Sequence, residues 1–460
     1  MPEQRNDRET SVEAIRADLR DGAFSRALKA IGDLPEHQGK DPELWSLKAR
    51  SLQGLWRFEE AVATYRQALE RCDRHPRLLL QLGNLYTRLG CGEEAVACFE
   101  EALQRAPALI DAYRGLLNFR PIVPDSLAAR RLVILSQDKR RPVAIRTSAF
   151  FLLGEIHVDA GMDERGFEFY QVANRLVLES GKAGKYEYRV SPNAAAMTAE
   201  FFRRHARMQR AQPPCPALIV AGLARSGKSL VEKLLTEHPH ISAGGELALA
   251  RSLATHLEHG ADLESVAAWV VRQTESPLAQ WCPPVPGTEG TQLIDTSPAN
   301  LGRLGYLGLL HPEAPIVFCR RDAMDLGVSL YFKNFRSGHL FSNDLARTGR
   351  AVALAEKVMD HWLTALPNPI VDVAYETLVR DPQGVQSRMI ERLGFEPLSA
   401  KQDTESKENY WRLFPSRSAD TVGTISPELI GFAKRFSRHL EPMAKAYTEE
   451  MARPGLAGAQ

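Results

Sequence analysis

Large and small apolar residues recur at an offset of 34 residues near the start of this chain. In order, Trp45, Ala49, Leu52, Ala61, Tyr65 and Ala68 are followed 34 positions later by Leu79, Gly83, Tyr86, Ala95, Phe99 and Ala102. Small residues at fixed positions allow two antiparallel helices to approach closely, and the large residues fill the space between neighbouring hairpins. The pattern predicts stacked helical hairpins over residues 42–109.

Two further segments carry parts of the same pattern. Ala27 and Ile31 stand one unit before Ala61 and Tyr65, and residues 147–180 repeat the spacing with Gly154, Gly161, Gly166, Tyr170 and Ala173. Residues 110–146 interrupt it. The pattern resembles tetratricopeptide repeats, which implies a helical solenoid over residues 1–180 that binds a protein partner or the acceptor. Unrelated helical hairpins are the alternative.

The charge balance and the cysteines restrict the class of protein. The 460 residues include 58 Lys and Arg and 57 Asp and Glu, which gives a net charge of +1. A net charge this small does not attract nucleic acid or an anionic membrane. The six cysteines form no C-x-x-C pair, which speaks against structural zinc and fits a reducing compartment. No apolar run reaches about 18 residues. We expect a cytoplasmic protein that needs neither nucleic acid nor a membrane.

After residue 180 the sequence changes character. Residues 181–215 contain the charged stretch FFRRHARMQR and end in prolines, which predicts a connecting helix and a domain boundary. The apolar runs PALIVAG, TQLID, PIVFC and PIVDVA then alternate with helical stretches. Alternation of this kind predicts a parallel sheet of buried strands in an α/β domain over residues 216–450. The expected fold is thus α plus α/β.

The segment Gly222-Leu-Ala-Arg-Ser-Gly-Lys-Ser229 lies between the first predicted strand and a helix. It fits the phosphate-binding pattern G-x-x-x-x-G-K-[ST], in which backbone N–H groups and a helix N-terminus hold an anion. Arg225 and Lys228 add full positive charges. A turn that merely joins strand and helix is the alternative, but it leaves Lys228 unexplained.

A second anion site is indicated after the strand PIVFC. Arg321 follows this strand, Asp322 can cap the next helix, and Ser329 lies two turns along that helix. A guanidinium and a hydroxyl placed in this way can clamp a phosphate. Two phosphate sites on one sheet suggest a nucleotide that is phosphorylated at both ends.

Residues 216–395 resemble the sulfotransferase family that uses 3′-phosphoadenosine 5′-phosphosulfate. The resemblance rests on several ordered motifs: Ala224–Ser229, His238-Pro239, Gly245-Glu246, Cys319–Asp322 with Ser329, His361-Trp362, and Tyr375-Glu376 followed by Asp381-Pro382. It implies a P-loop-like α/β domain that moves a sulfuryl group to a hydroxyl or amine acceptor of unknown class without a metal ion.

The resemblance also implies site residues. Glu246 and Arg225 would be catalytic, with Glu246 as the base and His238 as the second candidate. A surface glutamate at the start of a helix is the alternative for Glu246. Lys228 is our own third catalytic candidate. The nucleotide would be bound by Arg225, Ser226, Gly227, Lys228, Ser229, Arg321, Ser329 and Tyr375. For Tyr375, a place in the core is the alternative. His361 and Trp362 are interpreted as core residues.

Two departures from the family pattern affect this assignment. The family has a lysine in D-K-x-P where this chain has Thr296, and a threonine in its loop where this chain has Lys228. We therefore expect Lys228 to supply the charge that Thr296 cannot. The C-terminal region also lacks the basic loop with which the family covers the nucleotide. Arg417, Lys434 and Arg435 are the candidates to replace it.

Two other functions remain open on the sequence alone. A P-loop kinase or nucleotide hydrolase would bind ATP with Mg²⁺ on Ser229 and Asp295. An interaction protein would use the repeats and carry an inactive transferase domain, for which the missing lysine at Thr296 is the best argument.

Overall fold

A computed structural model describes residues 11–19, 23–34, 39–181, 187–206, 215, 217–247, 249, 262–271, 291–335, 338–397 and 427–456. The chain forms two compact units, Met1–Leu135 and Ser136–Gln460. Within the described residues, no helix is both long enough and apolar enough to cross a bilayer.

The first unit is helical. Its helices are α1 (11–19), α2 (Phe24–Gly32), α3 (Pro42–Gly54), α4 (Phe58–Arg71), α5 (Pro76–Arg88), α6 (Gly92–Arg105), α7 (Ile110–Leu117) and α8 (Leu127–Gln137), the last of which ends two residues beyond the unit.

The bounds of these helices reproduce the offset in the sequence. Helices α5 and α6 begin and end 34 residues after α3 and α4, and the twelve paired residues are buried. Gly83 shows why a small residue is needed, because a Cβ there would lie 2.6 Å from the ring of Phe99. The predicted repeats over residues 42–109 are confirmed.

The second unit contains helices and a sheet. Its helices are α9 (Val143–Asp159), α10 (Asp163–Glu179), α11 (Ala199–Ala206), α12 (Lys228–Leu235), α13 (Leu263–Val271), α14 (Leu304–Leu310), α15 (Ala323–Tyr331), α16 (Leu345–Ala365), α17 (Tyr375–Arg380), α18 (Pro382–Arg392) and α19 (Glu441–Ala452). Short 3₁₀ segments include Leu301–Arg303, Pro427–Leu429 and Phe432–His439.

The sheet is parallel throughout. Strands β1 (Ala217–Ala221), β2 (Ile241–Ala243), β3 (Gln292–Asp295), β4 (Ile316–Arg320) and β5 (Ile370–Ala374) are arranged in the order β2-β3-β1-β4-β5. The predicted parallel α/β sheet is confirmed, and the fold class is α plus α/β. Sequence analysis missed the short β2. It also expected β5 to be buried on both faces, but this edge strand alternates, with Asp372 exposed.

The hairpin of α9 and α10 belongs to the second compact unit, although its sequence pattern grouped it with the repeats. The predicted domain limits of 1–180, 181–215 and 216–450 stay a prediction. Helix α11 covers the start of the predicted connecting helix, and residues 207–214 lie outside the described residues.

Candidate active site at the carboxyl edge of the sheet

All five strands end at one edge of the sheet because they are parallel. The loop from Gly222 follows β1, Gly245 and Glu246 follow β2, and Arg321 follows β4. Thr296 follows β3 and Tyr375 follows β5. Strand β1 lies between β3 and β4, where the chain reverses its order across the sheet. Ligands of open α/β sheets bind at such a switch point.

The loop after β1 is tightly folded. Gly222 has φ +155°, and a Cβ there would lie 2.6 Å from Ser226 Oγ and 2.8 Å from the carbonyl oxygen of Cys319. Gly227 has φ +102° and precedes the first turn of α12. Arg225 also has a left-handed backbone, with φ +70°. Such a conformation costs a non-glycine residue about 1–3 kcal/mol and tends to occur at functional sites.

Lys228 is buried at the start of α12. Its Nζ donates hydrogen bonds to the carbonyl oxygens of Gly222 at 3.0 Å and Leu223 at 2.6 Å, so the ammonium braces the loop. Burial lowers the pKa of Lys228 to about 8, although negative groups including Glu246 oppose the shift. Sequence analysis predicted that Lys228 lies in the loop. The structure adds that its ammonium group donates hydrogen bonds to carbonyl oxygens of the same loop.

Ser226 and Ser229 flank the turn into α12. The Oγ of Ser226 is buried, and no other described residue provides it with a hydrogen-bond partner. Ser229 is half-buried in the first turn of the helix. A buried hydroxyl without a partner beside a glycine-rich turn can donate to an anion.

Arg225, Arg321, Ser329 and Tyr375 form what we call the arginine cluster. The Nε of Arg225 donates to Ser329 Oγ at 3.0 Å, and an Nη of Arg321 donates to the carbonyl oxygen of Arg225 at 3.1 Å. Arg321 lies over the ring of Tyr375 at 4.4 Å. The structure therefore brings these four sequence-predicted residues together from three segments of the chain: the loop after β1, the segment from Arg321 to Ser329, and the start of α17.

The charges of the arginine cluster are not neutralised by ion pairs in the described part of the chain. Arg321 is 7% exposed, and burial lowers its pKa. Its second Nη donates to the carbonyl oxygen of Leu429 at 3.3 Å, while its Nε is buried without a described partner. By contrast, the preceding Arg320 is paired with Asp372 and Asp360, each at 2.8 Å.

Glu246 lies in an exposed position after β2, following Gly245 with φ +70°. Partial desolvation raises the pKa of the Glu246 carboxyl group, Lys228 opposes this shift, and Asp295 reinforces it. A carboxylate with a raised pKa at the mouth of a basic site is suited to accept a proton.

The loop around Glu246 is fastened to the end of β3. Asp295 is fully buried, and its carboxylate accepts from the backbone N–H groups of Leu247 at 3.1 Å and Leu249 at 2.9 Å. Thr296 donates from its N–H and its Oγ1 to the carbonyl oxygen of Gly245, at 2.7 and 3.1 Å. Sequence analysis missed these contacts, for which the Asp at the end of a buried strand was the available signal.

Asp295 accepts two more hydrogen bonds from its own loop. They come from the N–H of Ser297 at 2.9 Å and the Nδ2 of Asn300 at 2.8 Å. On the other side of the Glu246 loop, Glu232 Oε1 accepts from the N–H of Gly245 at 3.3 Å. The loop thus has anchors on both β3 and α12.

The remaining sequence candidates lie in other surroundings. His238 is buried, and its ring bonds the backbone of Glu396 and His240. Trp362 is fully buried and donates to the carbonyl oxygen of Leu301 at 2.9 Å. Arg435 is paired with Asp163, whereas Arg417 lies outside the described residues.

Two family models match parts of the chain. Residues 216–399 match the family described as the Sulfotransferase family. The chain carries a sulfotransferase-family domain. Residues 42–75 and 76–109 match the tetratricopeptide repeat, so the sulfotransferase-family domain follows repeats of this kind.

Two curated proteins are similar to the chain. An uncharacterized protein of Aquifex aeolicus (strain VF5) is 24% identical over 78% of the chain and 49% of its own length. Nodulation protein NoeE of Sinorhizobium fredii (strain NBRC 101917 / NGR234) is 29% identical over 41% of the chain and 53% of its own length. The chain spans about half the length of these relatives.

Proposed function

We propose that the sulfotransferase-family domain transfers a sulfuryl group from 3′-phosphoadenosine 5′-phosphosulfate to a hydroxyl or amine acceptor. The observation that carries this proposal is the arginine cluster beside the glycine-rich loop. It offers positive charge, without carboxylate partners in the described structure, at a second position on the same sheet edge. A donor with anionic groups at both ends suits such a pair of sites.

The residues fit both ends of this donor. The loop after β1, with Ser226, Gly227 and Ser229 around the N-terminus of α12, would hold the phosphosulfate. Arg321 and Ser329 would hold the 3′-phosphate, and Tyr375 packs against both Arg321 and Gly227. The buried Nε of Arg321 and Oγ of Ser226 are polar atoms that a bound anion would satisfy.

The transfer assigns one role to each catalytic residue. The acceptor oxygen or nitrogen attacks sulfur while the bond from sulfur to the bridging phosphate oxygen breaks, which releases adenosine 3′,5′-bisphosphate. Glu246 takes the proton that the acceptor loses, because the acceptor becomes acidic as it bonds. Lys228 and Arg225 stabilise the charge that grows on the phosphate. Since these cations supply the charge, the proposal requires no metal ion.

The kinase or hydrolase interpretation meets an obstacle at Asp295. Magnesium would need a carboxylate oxygen there, but both oxygens of Asp295 already accept hydrogen bonds from Leu247, Leu249, Ser297 and Asn300. The bonds from Leu247 and Leu249 hold the loop of Glu246, so a metal ion would have to displace them. This observation favours the transferase.

The repeats are proposed to bind a protein partner and to take no part in the chemistry. The interpretation of the whole chain as an interaction protein rests on Thr296, which stands where the family has lysine. In the structure Thr296 holds Gly245 next to Glu246, so this position supports the site in another way.

A binding experiment on the full chain separates the three functions. Melting temperature is measured with adenosine 3′,5′-bisphosphate in EDTA, with ATP in EDTA and with ATP plus Mg²⁺. We expect the bisphosphate to stabilise the protein in EDTA, and Arg320→Ala serves as a control that leaves this effect intact. Stabilisation by ATP that depends on Mg²⁺, without an effect of the bisphosphate, would establish the kinase interpretation instead. No effect of any nucleotide would indicate an inactive domain.

A further inference from the structure

The hairpin of α9 and α10 packs as the repeats do. A Cβ at Gly154 would lie 2.8 Å from the ring of Tyr170, just as a Cβ at Gly83 would lie 2.6 Å from Phe99. Both pairs are separated by 16 positions in the sequence. The hairpin nevertheless lies in the second compact unit and outside both family matches.

The hairpin shares one apolar cluster with the helix that carries Ser329. The cluster joins hairpin residues, α15 residues and the C-terminal segment: Phe151, Val158, Phe167, Tyr170, Ala173, Val328, Tyr331, Ala433, Phe436, Leu440 and Met443. Val328 and Tyr331 flank Ser329 on α15. The packed face of this helix therefore rests on the hairpin.

Polar and aromatic contacts fix the end of α15 to α10. Asn174 is 1% exposed, and its Nδ2 donates to the carbonyl oxygens of Tyr170 and Tyr331, each at 3.0 Å. Tyr331 is the last residue of α15, where carbonyl groups lack partners within the helix. The ring of Tyr170 stacks on Phe332 with centroids 3.9 Å apart and planes 10° apart.

The hairpin also lies within electrostatic reach of the arginine cluster. Burial raises the pKa of Tyr170 well above its usual value of 10, Glu155 and Asp159 add to the shift, and Arg225 opposes it. Arg225 is the residue that bonds Ser329. Arg225 of the loop after β1 therefore favours the ionised form of this phenol, although burial keeps the phenol neutral.

We propose that the α9–α10 hairpin is a structural part of the donor site, in which Asn174 is a positioning residue. By holding Tyr331, Asn174 sets the position of α15, so that Ser329 meets Arg225 and the 3′-phosphate. This inference rests on the proposed donor site. It predicts that a residue in a repeat-like helix controls preference for a 3′-phosphate without touching the nucleotide.

The test compares affinities for adenosine 3′,5′-bisphosphate and adenosine 5′-phosphate in the full chain by calorimetry. Asn174→Leu keeps the size of the side chain but removes both donated bonds, and Asn174→Ser is too short to reach Tyr331. We expect each variant to lower the preference for the bisphosphate by about fivefold, the effect of one neutral hydrogen bond. Affinity for adenosine 5′-phosphate should stay unchanged, whereas a purely structural role would lower only the melting temperature.

Two controls make the outcome decisive. Arg165→Ala removes an exposed ion pair with Glu168 on the same helix and should leave the preference unchanged. Asn174→Ser combined with Ser329→Ala should lower the preference no further than Ser329→Ala alone, because both changes act on one contact.

If the wild-type protein does not prefer the bisphosphate, the proposed donor site fails. A wild-type preference that survives in Asn174→Ser would overturn the positioning role alone.

Discussion

Arg225 donates a hydrogen bond from Nε to the Oγ of Ser329 over 3.0 Å, although 104 residues separate them in the chain. The bond joins the loop after β1 to the helix after β4. It therefore connects the segment proposed to hold the phosphosulfate with the segment proposed to hold the 3′-phosphate.

Arg321 and Arg320 provide a matched pair for testing the 3′-phosphate site. Arg321→Ala should weaken adenosine 3′,5′-bisphosphate binding at least tenfold, since a charge-assisted bond contributes about 1.5–3 kcal/mol. Binding of adenosine 5′-phosphate should barely change. Arg320→Ala should alter neither affinity because Arg320 is paired with Asp360 and Asp372. Equal losses for both nucleotides in Arg321→Ala would contradict the assignment.

Lys228→Thr tests whether the catalytic cation has moved into the loop. We expect kcat to fall by roughly 10²–10³, as on removal of one preorganised donor. Lys233→Thr on the same helix should have little effect. Activity close to that of the wild type in Lys228→Thr would mean that Arg225 alone carries the charge.

The structure refines the matching rescue experiment at Thr296. Lysine at this position in the Lys228→Thr background should recover part of the lost rate if the charge has moved. However, Thr296 is buried and its Oγ1 bonds Gly245, so the substitution also breaks that contact. Thr296→Lys with Lys228 retained should therefore lower kcat, and a kcat equal to that of the wild type would show that the contact is dispensable.

The pKa shifts predict a bell-shaped dependence of kcat/KM on pH. Glu246 must be deprotonated to act as a base. Because its pKa is raised, the acidic limb should lie at a higher pH than the usual Glu pKa of about 4.3. Lys228 must be protonated, and its pKa of about 8 places loss of activity on the alkaline side. Residual activity of Lys228→Thr should lack the alkaline limb. An unchanged limb in that variant would assign it to another group.

Asp295 offers a test that separates the acceptor side from the donor side. Four N–H groups donate to the carboxylate of Asp295, and Asp295→Asn leaves only one oxygen to accept them. Each buried N–H group left unpaired costs about 1–3 kcal/mol. The loop of Glu246 is therefore held less firmly. We expect kcat to fall while bisphosphate affinity is retained. Asp372→Asn at the far edge strand is the control, and equal kcat in both variants would contradict the role of Asp295.

The sequence predicted the parts of this fold that depend on local patterns. The repeats, four of the five strands and the cap of α15 by Asp322 follow from periodicity and turn chemistry. The sequence predicted two separate phosphate sites on one sheet, with Arg225 in one and Arg321 and Ser329 in the other. The direct contacts of Arg225 with Ser329 and Arg321 came from the structure alone. Sequence analysis could not predict that Asp295 and Thr296 anchor the Glu246 loop. These hydrogen bonds join segments that are about 50 residues apart in the chain, and they depend on the order of the strands in the sheet.

The placement of the α9–α10 hairpin changes what a truncation should do. The sequence pattern assigned this hairpin to the repeats over residues 1–180, which implies that a protein beginning near Gln212 would still bind the nucleotide. In the structure, removal of the hairpin would expose Val328, Tyr331 and Phe332 and would free the end of the helix that carries Ser329. Exposed apolar surface of this kind favours aggregation.

A protein that begins at Ser136 should therefore stay monodisperse and bind adenosine 3′,5′-bisphosphate with an affinity close to that of the full chain. It retains the whole second compact unit, whereas a protein that begins at Gln212 should aggregate or lose its preference for the bisphosphate. Size-exclusion chromatography followed by calorimetry on both proteins checks this. Full affinity in a monodisperse protein that begins at Gln212 would show that the hairpin is dispensable for the donor site.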